Sequence, residues 1–237
     1  MSIGVYSNDA QLREEDSHLF GKSDTAWTRK HIRAAEDIRR DLKRHGYLQE
    51  HDDIDILEVD HKIVDDSAEA TVELEFTAES AGQLVVPKGT RVTDGWAKAH
   101  GKIAFVTDEQ LTVPAGGSDT VAATAADFGE CYNVPAGELT TLDGSLSNFD
   151  GVTHPSAASG GADHQLSRAA VYRTLELVYT DLMREEGDSL DARRKLHGRA
   201  YMDELERMIA AGIDIDVTGD NVTDHEQYHG FHRFRRG

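Results

Sequence analysis

Cysteine is nearly absent from this chain, and its absence excludes several kinds of site. The 237 residues include a single cysteine, Cys131. One thiol cannot form an intrachain disulfide, and it cannot supply the several thiolates of a cysteine-based zinc site. Cys131 lies between strand-forming residues, so we expect a small core residue rather than a nucleophile.

Long apolar runs are missing as well. No stretch approaches the ~20 apolar residues that a helix needs to cross a bilayer. The first residues, MSIGVYSNDAQ, lack the apolar core of a signal peptide. We therefore expect a soluble protein that is made in the cytoplasm and has no membrane partner, although an assembled product could still end up outside the cell.

Positive charge is the third scarce property. Lys and Arg number 25 against 44 Asp and Glu, and the formal net charge is −19. Only eight of the basic residues are Lys. Such a surface suits concentrated salt, where a Debye length of about 3 Å screens self-repulsion. A halophilic protein is one interpretation, and an acidic mesophilic protein is the other. Either way, the charge argues against nucleic acid or an anionic membrane as the main partner.

The strongest pattern lies between Leu84 and Asp163. Three Pro-x-Gly turns, at 87–89, 114–116 and 135–137, separate short runs rich in Thr, Val, Leu and Ile. Proline presets φ at the first central position of a turn and glycine permits the reversal, while the runs have strand composition. This stretch therefore predicts a compact β module.

Sequence features also mark both ends of this module. Before it, Val72, Leu74 and Phe76 alternate with Thr and Glu, which is typical of a half-buried strand. At its end, the Ser/Gly-rich stretch Ser156–Gly161 is interpreted as a linker.

Helical periodicity flanks the β module on both sides. A first helix is predicted from about Asp24 to His45, with Gly46 as its stop. A second runs from Asp163 to Gly187, and a third from Asp188 or Ser189 to Gly212. The short break between the last two predicts an antiparallel αα-hairpin. The predicted core positions of the first and third helices are Trp27, Ile32, Ala35, Ile38, Leu42, Leu190, Leu196, Ala200, Tyr201, Leu205, Met208 and Ile209. The predicted apolar stripe of the second helix comprises Leu166, Ala170, Val171, Leu175, Val178 and Leu182.

Together these patterns predict an α+β fold. A small helical bundle, made of one N-terminal helix and a C-terminal αα-hairpin, carries an inserted antiparallel β-sandwich or barrel-like domain and an extended C-terminal tail. Residues 1 to about 22 show no clear period and are expected to form an arm or loop. The predicted segments are 1–65 for the arm and first helix, 66–162 for the β domain, 163–212 for the hairpin, and 213–237 for the tail.

One catalytic motif occurs near the C-terminus. His225, Glu226 and His229 fit H-E-x-x-H, in which two imidazoles on one helix face bind zinc and the Glu acts as general base. Its flanks are polar, and little chain follows it to supply a further ligand, although His232 is a third candidate. A solvated tail is therefore favoured over a metal-dependent hydrolase. No G-x-S-x-G, Walker A or dinucleotide-binding glycine motif occurs, so we expect no enzyme.

A candidate cation site precedes that motif. Asp214, Asp216, Thr218 and Asp220 place oxygen ligands at alternate positions, with glycine sixth, as at the start of a calcium loop. His225 stands at the twelfth position, where a bidentate Glu belongs. An acidic turn is the alternative. Calcium or another cation is therefore the only cofactor that the sequence leaves open.

The end of the chain differs from the rest in charge and in aromatic content. Aromatic and Arg side chains are the usual anchors of protein interfaces, and a short peptide of this kind orders on docking to its partner. A disordered tail is the alternative. The candidate partner-binding residues are Phe231, His232, Arg233, Phe234, Arg235 and Arg236.

The β module resembles the central region of the baseplate J-like proteins of contractile-tailed phages. The residues that carry the resemblance are VVPKGTRV, FVTDEQLTVPAGGSDTVAATAADFGECYNVPAGELTTL and GVTHPSAASGGAD. The long flanking regions of a complete baseplate J-like protein are missing. On its own, this resemblance implies a baseplate component.

The flanking helices resemble the head–tail adaptor (connector) proteins of long-tailed viruses. The residues are WTRKHIRAAEDIRRDLKRHG and LSRAAVYRTLELVYTDLMREEGDSLDARRKLHGRAYMDELERMIAAGIDID. The resemblance implies a structural virion protein at the neck, which forms a homo-oligomeric, dodecameric ring between the portal protein and a neck or tail-completion (stopper) protein. Viral DNA would pass through without specific binding. Combined with this resemblance, the acidic composition implies a virus that infects a salt-loving archaeon.

A head–tail adaptor with a surface β insertion is the leading interpretation, and a baseplate component is the alternative. In the adaptor, Trp27, Tyr172, Tyr179 and Tyr201 would pack the helical frame. The basic aromatic end, Phe231–Arg236, would contact the portal.

Overall fold

The computed structural model describes residues 6–16, 25–45, 62–63, 65–94, 103–183 and 189–216. The chain divides into two compact units. The helical unit comprises Met1–Tyr6, Thr25–Asp66 and Gln165–Gly237, and the barrel unit comprises Ser7–Asp24 and Ser67–His164. The predicted α+β class, with helices and an antiparallel barrel-like sheet, is confirmed.

Four helices and ten strands occur in the described ranges. Among these helices, none combines the length and apolar character needed to cross a membrane. In chain order the elements are α1 (Asp9–Glu15), α2 (Thr25–Arg44), β1 (Lys62–Ile63), β2 (Glu69–Ala78), β3 (Leu84–Val86), β4 (Arg91–Thr93), β5 (Ala104–Thr107), β6 (Leu111–Val113), β7 (Ser118–Phe128), β8 (Thr141–Leu142), β9 (Phe149–Thr153), α3 (Ser167–Leu182), α4 (Ser189–Ala211) and β10 (Ile215–Asp216).

The barrel unit is built on one antiparallel sheet. Six strands follow the order β8-β4-β5-β7-β2-β9, and this sheet nearly closes on itself. Strands β3 and β6 pair with each other in a separate two-stranded sheet. In β2, Val72, Leu74 and Phe76 are buried while Thr71 and Glu73 are exposed, which confirms the predicted alternation. Burial of each large apolar side chain contributes about 1.5–3 kcal/mol to stability.

Glycine backbone geometry explains the three Pro-x-Gly turns. Gly89, Gly116 and Gly137 have φ of +84°, +66° and +80°, a region that other residues enter only with strain. In the first two turns, the amide after the glycine donates to the proline carbonyl, at 3.3 Å for Pro87 and 2.9 Å for Pro114. Proline is therefore the first residue of these hydrogen-bonded turns, not the first central residue as predicted, because the left-handed glycine must occupy the third position.

In the helical unit, α2 and α4 both pack against α3. Most of α3 is buried, including Tyr172 and Tyr179. On α2 the buried face contains Trp27, and on α4 it contains Tyr201. All four aromatic residues that were expected to pack the frame are therefore buried.

Three predicted apolar positions are wrong. Leu182, at the end of α3, is 41% exposed. Ile32 of α2 is 37% exposed and Leu196 of α4 is 63% exposed. Their neighbours His31 and His197 are buried instead, because each lies four residues along the helix from a buried aromatic residue, Trp27 and Tyr201 respectively. A pattern of apolar residues alone does not identify these faces, because histidine is a polar residue.

The stretch predicted as an arm contains helix α1, so that expectation is wrong for residues 9–15. The Asn8 side chain accepts from the amides of Ala10 and Gln11, and the Gln11 side chain accepts from the Asn8 amide. This capping box satisfies amides that the first turn leaves unpaired. Ala10 packs into the barrel core, which gives so short a helix its stability.

The segment predicted as a linker is also part of the barrel. Ser159 pairs with Thr71, and Ala162 pairs with Ala68. Main-chain hydrogen bonds link both pairs, at 2.8–3.1 Å for the first and 3.0 Å for the second. Its small residues serve close packing rather than flexibility.

Candidate functional site

The closing segment, His154–Asp163, contains the motif residues that follow the last barrel strand. Within it, the Gly161 amide donates to Asn133 Oδ1 at 2.9 Å, and Asn133 Nδ2 donates to the Gly161 carbonyl at 2.8 Å. A β-carbon on Gly161 would lie 2.4 Å from the Gly129 carbonyl oxygen. Position 161 therefore has no room for a side chain, because the Gly129 backbone lies against it. The Asn133 side chain is needed to pair with both main-chain groups of Gly161.

His154 begins the closing segment, and both of its ring nitrogens are used. Nε2 accepts the Glu138 amide hydrogen at 2.8 Å, and Nδ1 lies 2.8 Å from the Ser156 carbonyl, to which it donates. The His154 carbonyl accepts from the Gly137 amide at 3.0 Å. The hydrogen bonds of this buried residue stabilise the third Pro-x-Gly turn. Neither ring nitrogen is available to bind a metal or a substrate.

Asp163 ends the closing segment and joins it to two other parts of the barrel unit. Its Oδ1 accepts from Gln11 Nε2 of α1 at 2.8 Å and from the Glu130 amide at 2.9 Å. Asn8 adds a bond from Nδ2 to the Phe128 carbonyl at 2.7 Å. The closing segment and α1 are therefore held by the same polar cluster, which sequence reasoning missed; the Asn8-x-x-Gln11 capping pattern was the available signal.

Cys131 lies in the same region and behaves as a structural residue. Its side chain is partly buried against the barrel core. Burial, with smaller effects from Glu14 and Asp163, raises the pKa of Cys131 to about 12. The thiol therefore stays protonated at neutral pH, which agrees with the predicted core role and disfavours nucleophilic chemistry.

The predicted cation site is described only in part. Asp214 exchanges two main-chain hydrogen bonds with the Gln165 side chain, at 2.9 and 3.1 Å. Asp216 lies in β10, opposite Lys62 of β1. Thr218 and Asp220 lie outside the described residues. No three His, Cys, Asp or Glu side chains within the described ranges are placed to hold a metal ion. The site stays a prediction.

Two further sets of predicted site residues also lie outside the described ranges. They are the H-E-x-x-H residues His225, Glu226 and His229, and the partner-binding end, Phe231–Arg236. Both assignments stay predictions.

The helical unit contains a cleft of about 640 Å³ between α2, α3 and α4. At its base, Arg173 donates to Asp37 at 2.6 and 2.9 Å and to Glu176 at 2.5 Å. Tyr201 donates to Asp41 at 2.7 Å. Burial, and then the hydrogen bond to Asp41, raises the pKa of Tyr201. The cleft is thus polar, and its inner carboxylates are already paired.

Comparison with known families identifies a match for the β module. Residues 73–161 match the barrel domain of baseplate J-like proteins. The match extends from β2 to Gly161 and includes Asn133 and His154. The resemblance of the β module is confirmed. The resemblance of the helices to head–tail adaptors, and the haloarchaeal origin, stay predictions.

No curated protein matches the chain. Among solved structures, a chain of the cryo-EM structure of the anti-feeding prophage (AFP) baseplate, 6-fold symmetrised, aligns with a TM-score of 0.37 and 10% sequence identity. The alignment covers 65% of this chain and 48% of that chain, so the present chain spans about half of its length. A TM-score this low does not establish a shared overall fold.

Proposed function

We propose that this protein is a structural component of a virus-like tail, located in the baseplate and without catalytic activity. The match of residues 73–161 to the baseplate J-like barrel domain carries the proposal. The geometry supports it, because Asn133, His154 and Gly161 hold the barrel together and present no reactive group. The outer surface is then the part that contacts other chains of the assembly.

Location within the particle tests this proposal. Tail particles that contain an affinity-tagged copy of the chain are labelled with tag-directed gold and imaged by negative-stain electron microscopy. Label at the distal end of the tail is expected. Particles that lack the label at every position, although the tagged chain is expressed, would refute a structural role in the tail.

A head–tail adaptor is the second candidate. The specific observation that favours it is that the helices on either side of the barrel sequence form one compact unit with a core of its own. In this proposal the chain forms a dodecameric ring at the neck, between portal and stopper proteins, and passes viral DNA without specific contacts. Gold label at the head–tail junction would select the adaptor over the baseplate component.

The C-terminal end gives the adaptor proposal a separate test. Deletion of residues 225–237 should abolish binding of the purified chain to portal protein in a pull-down, because the aromatic and Arg anchors are lost. The circular dichroism spectrum should remain that of the intact fold. Undiminished portal binding by the deleted chain would contradict the assignment of Phe231–Arg236.

A further inference from the structure

The cleft of the helical unit has the form of a groove with α3 as its floor. Lys30 of α2 pairs with Asp181 of α3, and Asp37 pairs with Arg173, so α2 runs antiparallel to α3. On α4, Gly198 leaves room for the Glu176 side chain, which a β-carbon would approach to 3.0 Å. The groove walls are α2 and α4, and its lining includes Arg40, Arg44, Lys195, Arg199 and Met202.

The charges on the α2 wall of this groove are arranged by depth. Asp37 is 7% exposed, whereas Arg40, which pairs with it at 2.7 Å, is 58% exposed. Asp41 is 22% exposed, and Arg44, at 3.1 Å from it, is 70% exposed. The carboxylates therefore face the interior and the guanidinium groups face solvent. Each of these Arg–Asp contacts uses one guanidinium nitrogen, and a guanidinium has five N–H donors, so donors remain for a second acceptor.

The α4 wall adds further cationic and apolar groups. Lys195 pairs with the buried Asp191 at 2.6 Å while its own side chain is 53% exposed. Arg199 is exposed and has no polar partner among the described residues. Met202 is 46% exposed beside them. Asp203 is also exposed in the lining, so the groove presents four exposed cations, Arg40, Arg44, Lys195 and Arg199, against one exposed carboxylate. This excess of positive charge is unusual on a chain whose net charge is −19, and it is complementary to a carboxylate-rich surface.

The barrel unit carries such a surface. On the outer face of β2, Glu69 and Glu73 are exposed and Glu75 is partly exposed. Their cross-strand neighbours on β7 are Phe128, Ala122 and Thr120, none of which is charged. These three carboxylates have no cationic partner within the described ranges.

We propose that the groove binds the outer face of β2 in a second copy of this chain. The spacing supports the pairing. Arg40 and Arg44 lie one helical turn apart, about 6 Å along the axis, and so do Lys195 and Arg199. Glu73 and Glu75 lie two residues apart on one strand face, about 6.8 Å. A pair of carboxylates on the strand therefore fits a pair of cations on either wall.

This inference rests on the proposed function, since a tail component is present in several copies. The groove and the β2 face belong to different surfaces of the chain, so the contact is head-to-tail. A head-to-tail contact produces a closed ring when the rotation between copies closes, and an open filament otherwise.

Reversal of charge on each side tests the contact. Sedimentation velocity is measured over a concentration series of the full-length chain, in about 0.1 M salt, where the Debye length is about 10 Å. The groove variant carries Arg44→Glu and Arg199→Glu, and the barrel variant carries Glu73→Lys and Glu75→Lys. Each variant alone should raise the self-dissociation constant about tenfold or more. An equimolar mixture of the two should restore association, because each reversed surface then meets a complementary one.

Arg33→Glu is the matched control, because Arg33 is an exposed residue of α2 that does not line the cleft. Its association should equal that of the wild type. A monomeric wild type, a mixture that associates no better than its components, or an equal loss in the control would overturn the inference. Restoration by mixing also shows that the variants are folded. Gold label at the tail tip without self-association would refute this contact alone, whereas self-association by a chain absent from particles would refute the proposed function.

Discussion

At the scale of single residues, the motif of the β module is a set of packing and hydrogen-bonding requirements. Asn133 satisfies both main-chain groups of Gly161, and His154 satisfies the Glu138 amide. A hydrogen bond of this kind contributes about 0.5–1.5 kcal/mol to stability, so these side chains stabilise the irregular end of the barrel. Their chemistry serves the fold rather than catalysis.

Gly161→Ala should destabilise the protein strongly. The new β-carbon would lie 2.4 Å from the Gly129 carbonyl oxygen, and backbone must shift to relieve that contact. We expect a loss of about 2 kcal/mol or more in the free energy of unfolding, measured by urea denaturation. Gly151→Ala is the control, because open space surrounds Gly151 in strand β9. An equal effect of the two substitutions would contradict this account.

Cys131 should react slowly with thiol reagents while the protein is folded. Its pKa is raised from 9.0 to about 12, so the reactive thiolate is scarce at pH values below that range. The rate of iodoacetamide labelling at about pH 8, followed by mass spectrometry, should rise sharply when urea unfolds the chain. Equal labelling rates in the folded and unfolded states would show that burial does not protect the thiol.

At the scale of elements, aromatic and polar residues share the helix faces that pack together. His197 of α4 stacks on Tyr179 with ring centroids 5.6 Å apart and on Tyr172 at 6.4 Å. Tyr201 reaches Asp41 of α2, while the Arg173 guanidinium lies 5.6 Å from the Tyr201 ring centroid. The helix–helix contacts thus depend on rings with polar atoms, which is why a purely apolar pattern misplaced Ile32 and Leu196.

Tyr201→Phe should change how stability depends on alkaline pH. The folded-state pKa of Tyr201 is raised above 10.0 by burial and by the bond to Asp41. The contribution of the Tyr201 hydroxyl to the free energy of unfolding is therefore fully present below pH 10. It is lost as the pH rises toward the folded-state pKa. The variant should lose about 1 kcal/mol near neutral pH. It should also show a shallower decline in the free energy of unfolding above about pH 10.

Urea denaturation of both proteins across that pH range measures the difference. Tyr6 and Tyr132, whose pKa values burial also raises, are present in both proteins, so they cancel in the comparison. Parallel pH profiles for the wild type and the variant would contradict the assigned role of the Tyr201 hydroxyl.

At the scale of the whole molecule, the chain has two separate hydrophobic cores. One includes Leu74, Phe76 and Phe105 of the barrel unit, and the other includes Ile38 and Leu205 of the helical unit. The helical core is assembled from segments that precede and follow the barrel sequence. A split core of this kind requires long-range contacts, whose loop-closure cost must be met before the core can form.

Salt should stabilise the protein. A formal charge of −19 produces self-repulsion in the folded chain, and added salt screens it. We expect the thermal unfolding midpoint to rise between about 0.1 M and 1 M KCl, over which the Debye length falls from about 10 to 3 Å. An unchanged or lower midpoint would contradict a role for self-repulsion, and with it the halophilic interpretation.

The sequence alone was sufficient for the α+β class, the alternation of β2, the locations of the Pro-x-Gly turns and the three long helices. These features depend on local periodicity and turn chemistry, which neighbouring residues display directly. It also carried the resemblance to the baseplate J-like barrel.

Only the tertiary structure decided which distant residues meet. Gln11 with Asp163, Asn133 with Gly161, and Asp41 with Tyr201 are joined by hydrogen bonds across 152, 28 and 160 residues. Such contacts depend on how strands and helices pack in three dimensions, and no local pattern encodes that packing.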